Sequence, residues 1–237
     1  MSDSALNQVA SLPLTSMLLT LAAFQIGLLA YRASGNKVWL HPVLVGSLII
    51  AGAISLMPIN YADYLRNNSV VMFFLGPLIV ALAVPLKAEL AALRGLVLPA
   101  MVVIVFGAIV APAVALGCAW LAGADQQVLV SLMPKSVTSP IAIGVAQSIG
   151  GLVVLATAVT VFTGIIGGLM APTIFRLVGL TDDRLQGLVL GINCHGLGTA
   201  RGFEISVRCG ALAGLGMGLT GCLSAFLLPY AHTWLFG

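Results

Sequence analysis

The chain has 237 residues, 60% of them hydrophobic and 7% charged, with ten Lys and Arg against seven Asp and Glu. An ordinary globular domain is about 25% charged, so a soluble domain of this composition would lack the polar groups to cover its surface, and the mean hydropathy of +1.12 agrees. The few scattered charges form no basic run, which disfavours disorder and nucleic-acid binding, and leaves a single integral membrane domain over residues 1–237.

Apolar runs long enough to cross a bilayer, about 20 residues each, occupy 12–31, 38–57, 96–116, 152–175 and 211–235. Asp3 and no Lys or Arg precede the first run, which is too long for a signal-peptide core and is expected to persist as a transmembrane helix. A sixth run, 70–86, carries Gly76-Pro77 and Pro85 and is expected to span with a kink, because proline removes a helix hydrogen bond and crowds the preceding turn. Tyr61, Asp63, Tyr64 and Arg66, just before it, read as interfacial anchors. Cys118, Cys194, Cys209 and Cys222 show no metal-ligand or CxxC spacing, so they read as small buried hydrophobes and no cofactor is expected.

Two further stretches are apolar but interrupted. Residues 128–151 contain Pro134-Lys135-Ser136-Val137-Thr138-Ser139-Pro140, and residues 185–210 contain Asn193-Cys194-His195-Gly196-Leu197-Gly198-Thr199. Unwound backbone at membrane depth is tolerated only where protein buries it or water reaches it. The fold predicted is therefore an all-α polytopic membrane protein of about six full transmembrane helices plus two broken or re-entrant segments.

In the first break Ser139 is a favourable N-cap and Pro140 a favourable first helical residue, so a half-helix is predicted from there to Gly150-Gly151. Its free N–H groups, the hydroxyls of Ser136, Thr138 and Ser139 and the Lys135 ammonium would make a compact anion site. The plainer alternative has Lys135 snorkelling to an interface while the hydroxyls satisfy freed carbonyls. Against it, a charge at helix centre costs about 2.5 to 3.5 kcal/mol on insertion scales, which packing does not explain.

In the second break Gly196 and Gly198 permit a tight turn and Thr199 can cap the helix that follows. Arg201, Glu204 and Arg208 then fall on one helical face, where Glu204 can pair with either arginine. Arg201, beside the turn, can take a carboxylate in two parallel hydrogen bonds, whereas a purely structural ion cluster at the membrane rim is the plainer reading of Glu204 and Arg208. His195 could relay a proton or simply hold the turn by hydrogen bonds. Gly167-Gly168 and Gly214-Leu215-Gly216-Met217-Gly218 read as helix-packing surfaces.

The run Ser131-Leu132-Met133-Pro134-Lys135-Ser136-Val137-Thr138-Ser139-Pro140-Ile141-Ala142, the run His195-Gly196-Leu197-Gly198-Thr199-Ala200-Arg201, and the stretch from Gly76-Pro77 to Ala83-Val84-Pro85-Leu86 resemble the LrgB/CidB family over nearly the whole chain. The resemblance implies a bacterial inner-membrane protein often paired with a small LrgA/CidA-type membrane protein. Members are described as antiholin-like regulators of murein hydrolase export and lysis, while plant plastid relatives exchange glycolate and glycerate and bacterial relatives are linked to pyruvate uptake. Carried over, Lys135, Ser136, Thr138, Ser139, His195, Thr199 and Arg201 would line a substrate site. The chain departs at Ser139, where Thr is common, and at Asn193-Cys194, where small residues such as Ala-Ser are usual.

These features together point to a transporter, of the elevator kind by analogy, for a small monocarboxylate such as pyruvate, lactate, glycolate or glycerate, with His195 or Glu204 as the proton-coupling group. The alternative is a holin-like or antiholin-like protein acting with an LrgA/CidA-type partner. An enzyme is disfavoured, since no Ser/His/Asp set, paired aspartates or HExxH pattern appears. A homodimer is the default assembly.

With six crossings and two returning segments, the loops of one side hold Arg32, Lys37, Lys87, Arg94, Arg176 and Arg184, and those of the other hold Arg66 alone. By the positive-inside rule both termini are extracytoplasmic, and the two breaks enter from opposite faces. On a cysteine-free background, a cysteine at position 90 is expected to stay unlabelled by an impermeant reagent applied outside intact cells; labelling there would overturn this topology.

Overall fold

The computed structural model describes residues 12–35, 40–57, 59–89, 95 and 97–237, which form helices and no strand. Asp3, Lys37 and Arg94, together with position 90, lie outside the described residues. Five helical segments, one of them (residues 69–88) interrupted at Leu82, are long and apolar enough to cross a membrane and a sixth apolar helix is shorter, the composition of a polytopic membrane protein. The chain divides into two compact units, residues 1–80 and 81–237.

The first unit contains α1 (Pro13–Ala33), α2 (Pro42–Leu56), α3 (Tyr61–Asn67) and most of α4 (Ser69–Ala81). The expected span at 38–57 begins later, at Pro42, because proline is favoured at the first helical position and the His41 ring accepts the Val43 N–H at 3.4 Å. Gly27 lets α1 and α2 approach: a Cβ there would stand 2.7 Å from the Pro42 carbonyl oxygen. Tyr64 is not an interfacial anchor. It is buried and its hydroxyl lies 2.8 Å from Thr20 Oγ1, in a polar cluster with Ser16, Asn67 and Asn68.

The expected kink in the sixth run is a break at Leu82, between α4 and α5 (Ala83–Glu89), rather than at Pro77, which lies within α4. Pro85 offers no N–H to the carbonyl four residues back, at Ala81, where α4 stops.

The second unit continues with α6 (Val97–Leu121), α7 (Gln126–Leu132), α8 (Ser139–Ser148), α9 (Val153–Leu177), α10 (Asp183–Ile205) and α11 (Val207–Phe236). Helix α11 is the most buried of the spanning helices, and its seam against α10 is built from small residues. A Cβ on Gly191 would fall on the Ala213 carbonyl oxygen and 2.8 Å from the Met217 nitrogen, and one on Gly216 would stand 3.0 Å from the Leu188 carbonyl oxygen. Both neighbours are backbone and cannot rotate away.

Gly191→Val is therefore expected to destabilise the protein by at least the roughly 1 to 3 kcal/mol of an overpacked core. Gly218→Val, whose Cβ would enter open space, should be near neutral. Thermal unfolding in detergent distinguishes the two, and equal effects would contradict the seam described.

Candidate functional site

Helix α10 is not continuous. His195 has φ 42° and ψ −125°, a left-handed conformation that a side chain other than glycine rarely adopts. A Cβ on Gly198 would meet the Leu190 carbonyl oxygen and stand 2.7 Å from Cys194 Cβ. In a straight helix, residues 190 and 198 are about 12 Å apart along the axis. The chain therefore reverses at His195 into two arms, 183–194 and 196–205. The first arm runs parallel to α11, with Gly187 against Leu212 and Gly191 against Met217, and the second runs back, with Gly202 against Gly210 and Thr199 Oγ1 3.8 Å from Met217 Sδ. Twelve residues of helix reach about 18 Å, roughly the middle of an apolar core about 30 Å thick. This is a re-entrant hairpin with its tip at mid-depth.

The turn sits at His195 and not at the glycine pair. Gly198 is spent on close approach of the two arms, which leaves the strained position to the histidine. Thr199 correspondingly is not an N-cap: it lies within the second arm and donates to the His195 carbonyl at 3.0 Å.

The first break is a second hairpin. Asp125 caps α7 by accepting the Val128 N–H at 2.8 Å, tight turns carry 133–137, and α8 leaves the turn with Thr138 as N-cap. The cap thus falls one residue before Ser139, and the Thr138 side chain makes no capping bond; Pro140, at the second helical position, has no N–H to offer it. Ile141 packs on Gly221, and Val145 and Ile149 on Leu228, so α8 runs parallel to α11, towards the face where α11 ends and α9 begins. The second hairpin starts from the opposite face. The two are opposed, as the sequence predicted.

Both tips rest on α9. Thr160 Oγ1 donates to the Pro134 carbonyl at 3.4 Å, and one turn further, about 6 Å along the axis, a Cβ on Gly164 would stand 2.7 Å from His195 Cε1. Gly167 leaves room for the Cys194 sulfur in the same way. Lys135 donates to Ser136 Oγ at 3.0 Å and lies within electrostatic range of Cys194 and His195. Ser136, His195 and Thr199 are buried, Thr138 and Ser139 half-buried, and among the described residues the His195 Nε2 has no hydrogen-bond partner. Two helix N-termini, those of α8 and of the 196–205 arm, thus meet the half-buried Lys135 ammonium at mid-depth, an arrangement that favours an anion. Lys135 and Asn193 share a cavity of about 470 Å³ against α6.

The sequence profile of the LrgB-like family matches residues 20–234. The chain belongs to that family. This LrgB-like chain is 28% identical over 229 residues to the uncharacterised protein YxaC of Bacillus subtilis (strain 168), covering 97% of this chain and 99% of that protein. It is 29% identical over 199 residues to the uncharacterised YwbG of the same organism, covering 82% and 88%. With the holin-like protein CidB of Staphylococcus aureus (strain N315) it shares 27% over 191 residues, covering 81% and 83%. No solved structure matches it.

Arg201 is half-buried and ion-paired with Glu204, nearer the hairpin base than the tip. Arg208 does not extend that face, since the extended Ser206 ends α10 and puts Arg208 on α11. At the base, the Arg184 guanidinium and N–H hydrogen-bond Asp182 and hold its carboxyl down to about 2. Sequence reasoning passed over Thr160 and Gly164, which nothing but their small size distinguishes in an apolar run, and flagged Asn193 only as a departure from the family pattern.

Backbone strain at His195 makes a direct prediction for this LrgB-like chain. Inside a regular helix Gly is about 1 kcal/mol less stable than Ala. At position 195 the order should reverse, with His195→Gly more stable than His195→Ala by about 1 kcal/mol. Unfolding of both variants in detergent measures it, and the usual order would contradict the positive φ.

Proposed function

We propose that the protein is a membrane transporter for a small monocarboxylate of the pyruvate, lactate, glycolate or glycerate class. The observation that carries this reading is the meeting of two opposed helical hairpins at mid-depth, each delivering a helix N-terminus beside the Lys135 ammonium. Secondary transporters commonly build their sites from such discontinuous helices. In this reading Lys135, Ser136, Thr138 and Ser139 take the carboxylate, and His195 and Thr199 close the site from the second tip. Arg201 attracts the anion along its path, and His195 or Glu204 couples transport to protons. The elevator mechanism, the extracytoplasmic termini and a homodimeric assembly complete the proposal.

The names of the staphylococcal relatives, holin-like proteins, speak for a second reading more directly than for the first. In it the chain regulates murein hydrolase export and lysis together with a small LrgA/CidA-type membrane protein. The cost of holding the half-buried Lys135 ammonium at mid-depth favours transport, because a protein acting only by association with a partner has no use for a cation there.

A charge-assisted hydrogen bond contributes about 1.5 to 3 kcal/mol, so Lys135→Met should weaken substrate affinity about 10- to 150-fold in proteoliposome uptake while the protein still folds. Wild-type uptake by this variant would refute the anion site. A lytic phenotype unchanged by Lys135→Met and by every organic acid tested would favour the second reading.

A further inference from the structure

Four threonines within the helices of this chain turn their hydroxyls back on the backbone. Thr20, Thr157, Thr199 and Thr233 each donate to the carbonyl four residues earlier, at 2.8 to 3.1 Å. Thr220 of α11 does not. Its side chain is 1% exposed, and among the described residues its Oγ1 has no hydrogen-bond partner. Forgoing the bond to the Gly216 carbonyl, which a helical threonine makes with ease, leaves a buried polar atom unsatisfied, and such atoms are few in native proteins and call for a reason.

The direction in which Thr220 faces follows from its neighbours on α11. Gly216 faces the first arm of the second hairpin, where its Cβ would stand 3.0 Å from the Leu188 carbonyl oxygen and 3.5 Å from the Ile192 nitrogen. Met217 faces the second arm, with Sδ 3.8 Å from Thr199 Oγ1. At about 100° per residue, Thr220 projects between those two directions and lies one turn nearer the reversal, so it faces the tip at His195. Ile141, in the first turn of α8, packs on Gly221, which puts the N-terminus of α8 at the same depth. The hydroxyl is thus aimed at the place where both helix N-termini leave backbone N–H groups free. Gly196, the first residue of the second arm, is exposed with open space around it and gives the tip an approach.

We infer that Thr220 is a further substrate-binding residue, its hydroxyl donating to the carboxylate from α11 while Lys135 and the two helix N-termini hold it from the hairpins. The inference rests on the monocarboxylate reading above and adds a wall to its site. A carboxylate accepts about four hydrogen bonds, whereas Lys135 Nζ has three hydrogens and already gives one to Ser136 Oγ. A hydroxyl with no bond to its own backbone has none to break when the substrate arrives, which is preorganisation. The tip covers Oγ1 in this conformation, so the carboxylate reaches it with the second hairpin drawn off α11.

The test uses the full chain with pyruvate and lactate as probes, in liposome uptake and in thermal unfolding in detergent. Thr220→Val keeps the shape of the side chain and removes the hydroxyl. It should weaken affinity for both acids about 10- to 150-fold, the range for a hydrogen bond to a charged group. Without acid it should unfold no earlier than wild type, because no hydrogen bond within the fold is lost. Thr220→Ser keeps the hydroxyl and should retain wild-type affinity, and Thr233→Val, which removes an exposed hydroxyl bonded to its own helix, should leave affinity unchanged. Wild-type affinity in a folded Thr220→Val protein overturns the inference while the monocarboxylate reading stands. A Thr220→Val protein that unfolds early or does not fold overturns it too, since the hydroxyl then belongs to the packing. If the wild-type protein takes up no carboxylate, that reading fails and the inference with it.

Discussion

Backbone N–H and C=O groups inside a membrane have no water to bond, and any irregular segment at that depth must be buried by protein or line a cavity. Two segments of this chain break helical pairing there, the turns at 133–137 and the reversal at His195. The placement of α9 follows from them. It presents Thr160 to the Pro134 carbonyl of one tip and the gaps at Gly164 and Gly167 to the other. The same constraint explains the seam between α10 and α11, where glycines let the arms and α11 come into backbone contact and cover the reversal.

That burial concentrates the polar chemistry of the second unit in one place. Lys135, Ser136 and His195 are brought together by long-range packing, while Arg201 and Glu204 pair nearer the base of the second hairpin. His195 holds a backbone conformation that glycine would hold at less cost, and it does so between Cys194 and an available glycine at 196. His195 thus combines backbone strain with burial, and among the described residues its Nε2 has no hydrogen-bond partner.

Much of this was legible in the sequence because membrane helices announce themselves by length and hydropathy, and because a Pro-polar-Pro run at membrane depth has few alternatives to a break. The α8 cap was displaced by a single residue, from Ser139 to Thr138. Finer features were hidden for physical reasons. Conformational permissiveness pointed to Gly196 and Gly198 as the turn, but close packing claimed Gly198 and the turn fell on His195. One extended residue, Ser206, was enough to carry Arg208 off the face of Arg201, and a single-residue break leaves no trace in periodicity. Tyr64 looked like an interfacial anchor because the partner of its hydroxyl, Thr20, lies 44 residues away in sequence.

In the proposed reading an anion binds at the junction of the hairpin tips, against Lys135. The chain contains three lysines, Lys37, Lys87 and Lys135, so the contact can be observed without ambiguity. Magic-angle-spinning NMR of the protein in lipid, with 15N-lysine and a 13C-carboxylate-labelled monocarboxylate, would measure the ammonium-to-carboxylate distance. An anion at this site should give dipolar coupling corresponding to an ion pair, about 4 Å or less, that disappears in Lys135→Met. Coupling that persists in that variant, or a bound acid that shows none in the wild-type protein, would contradict it.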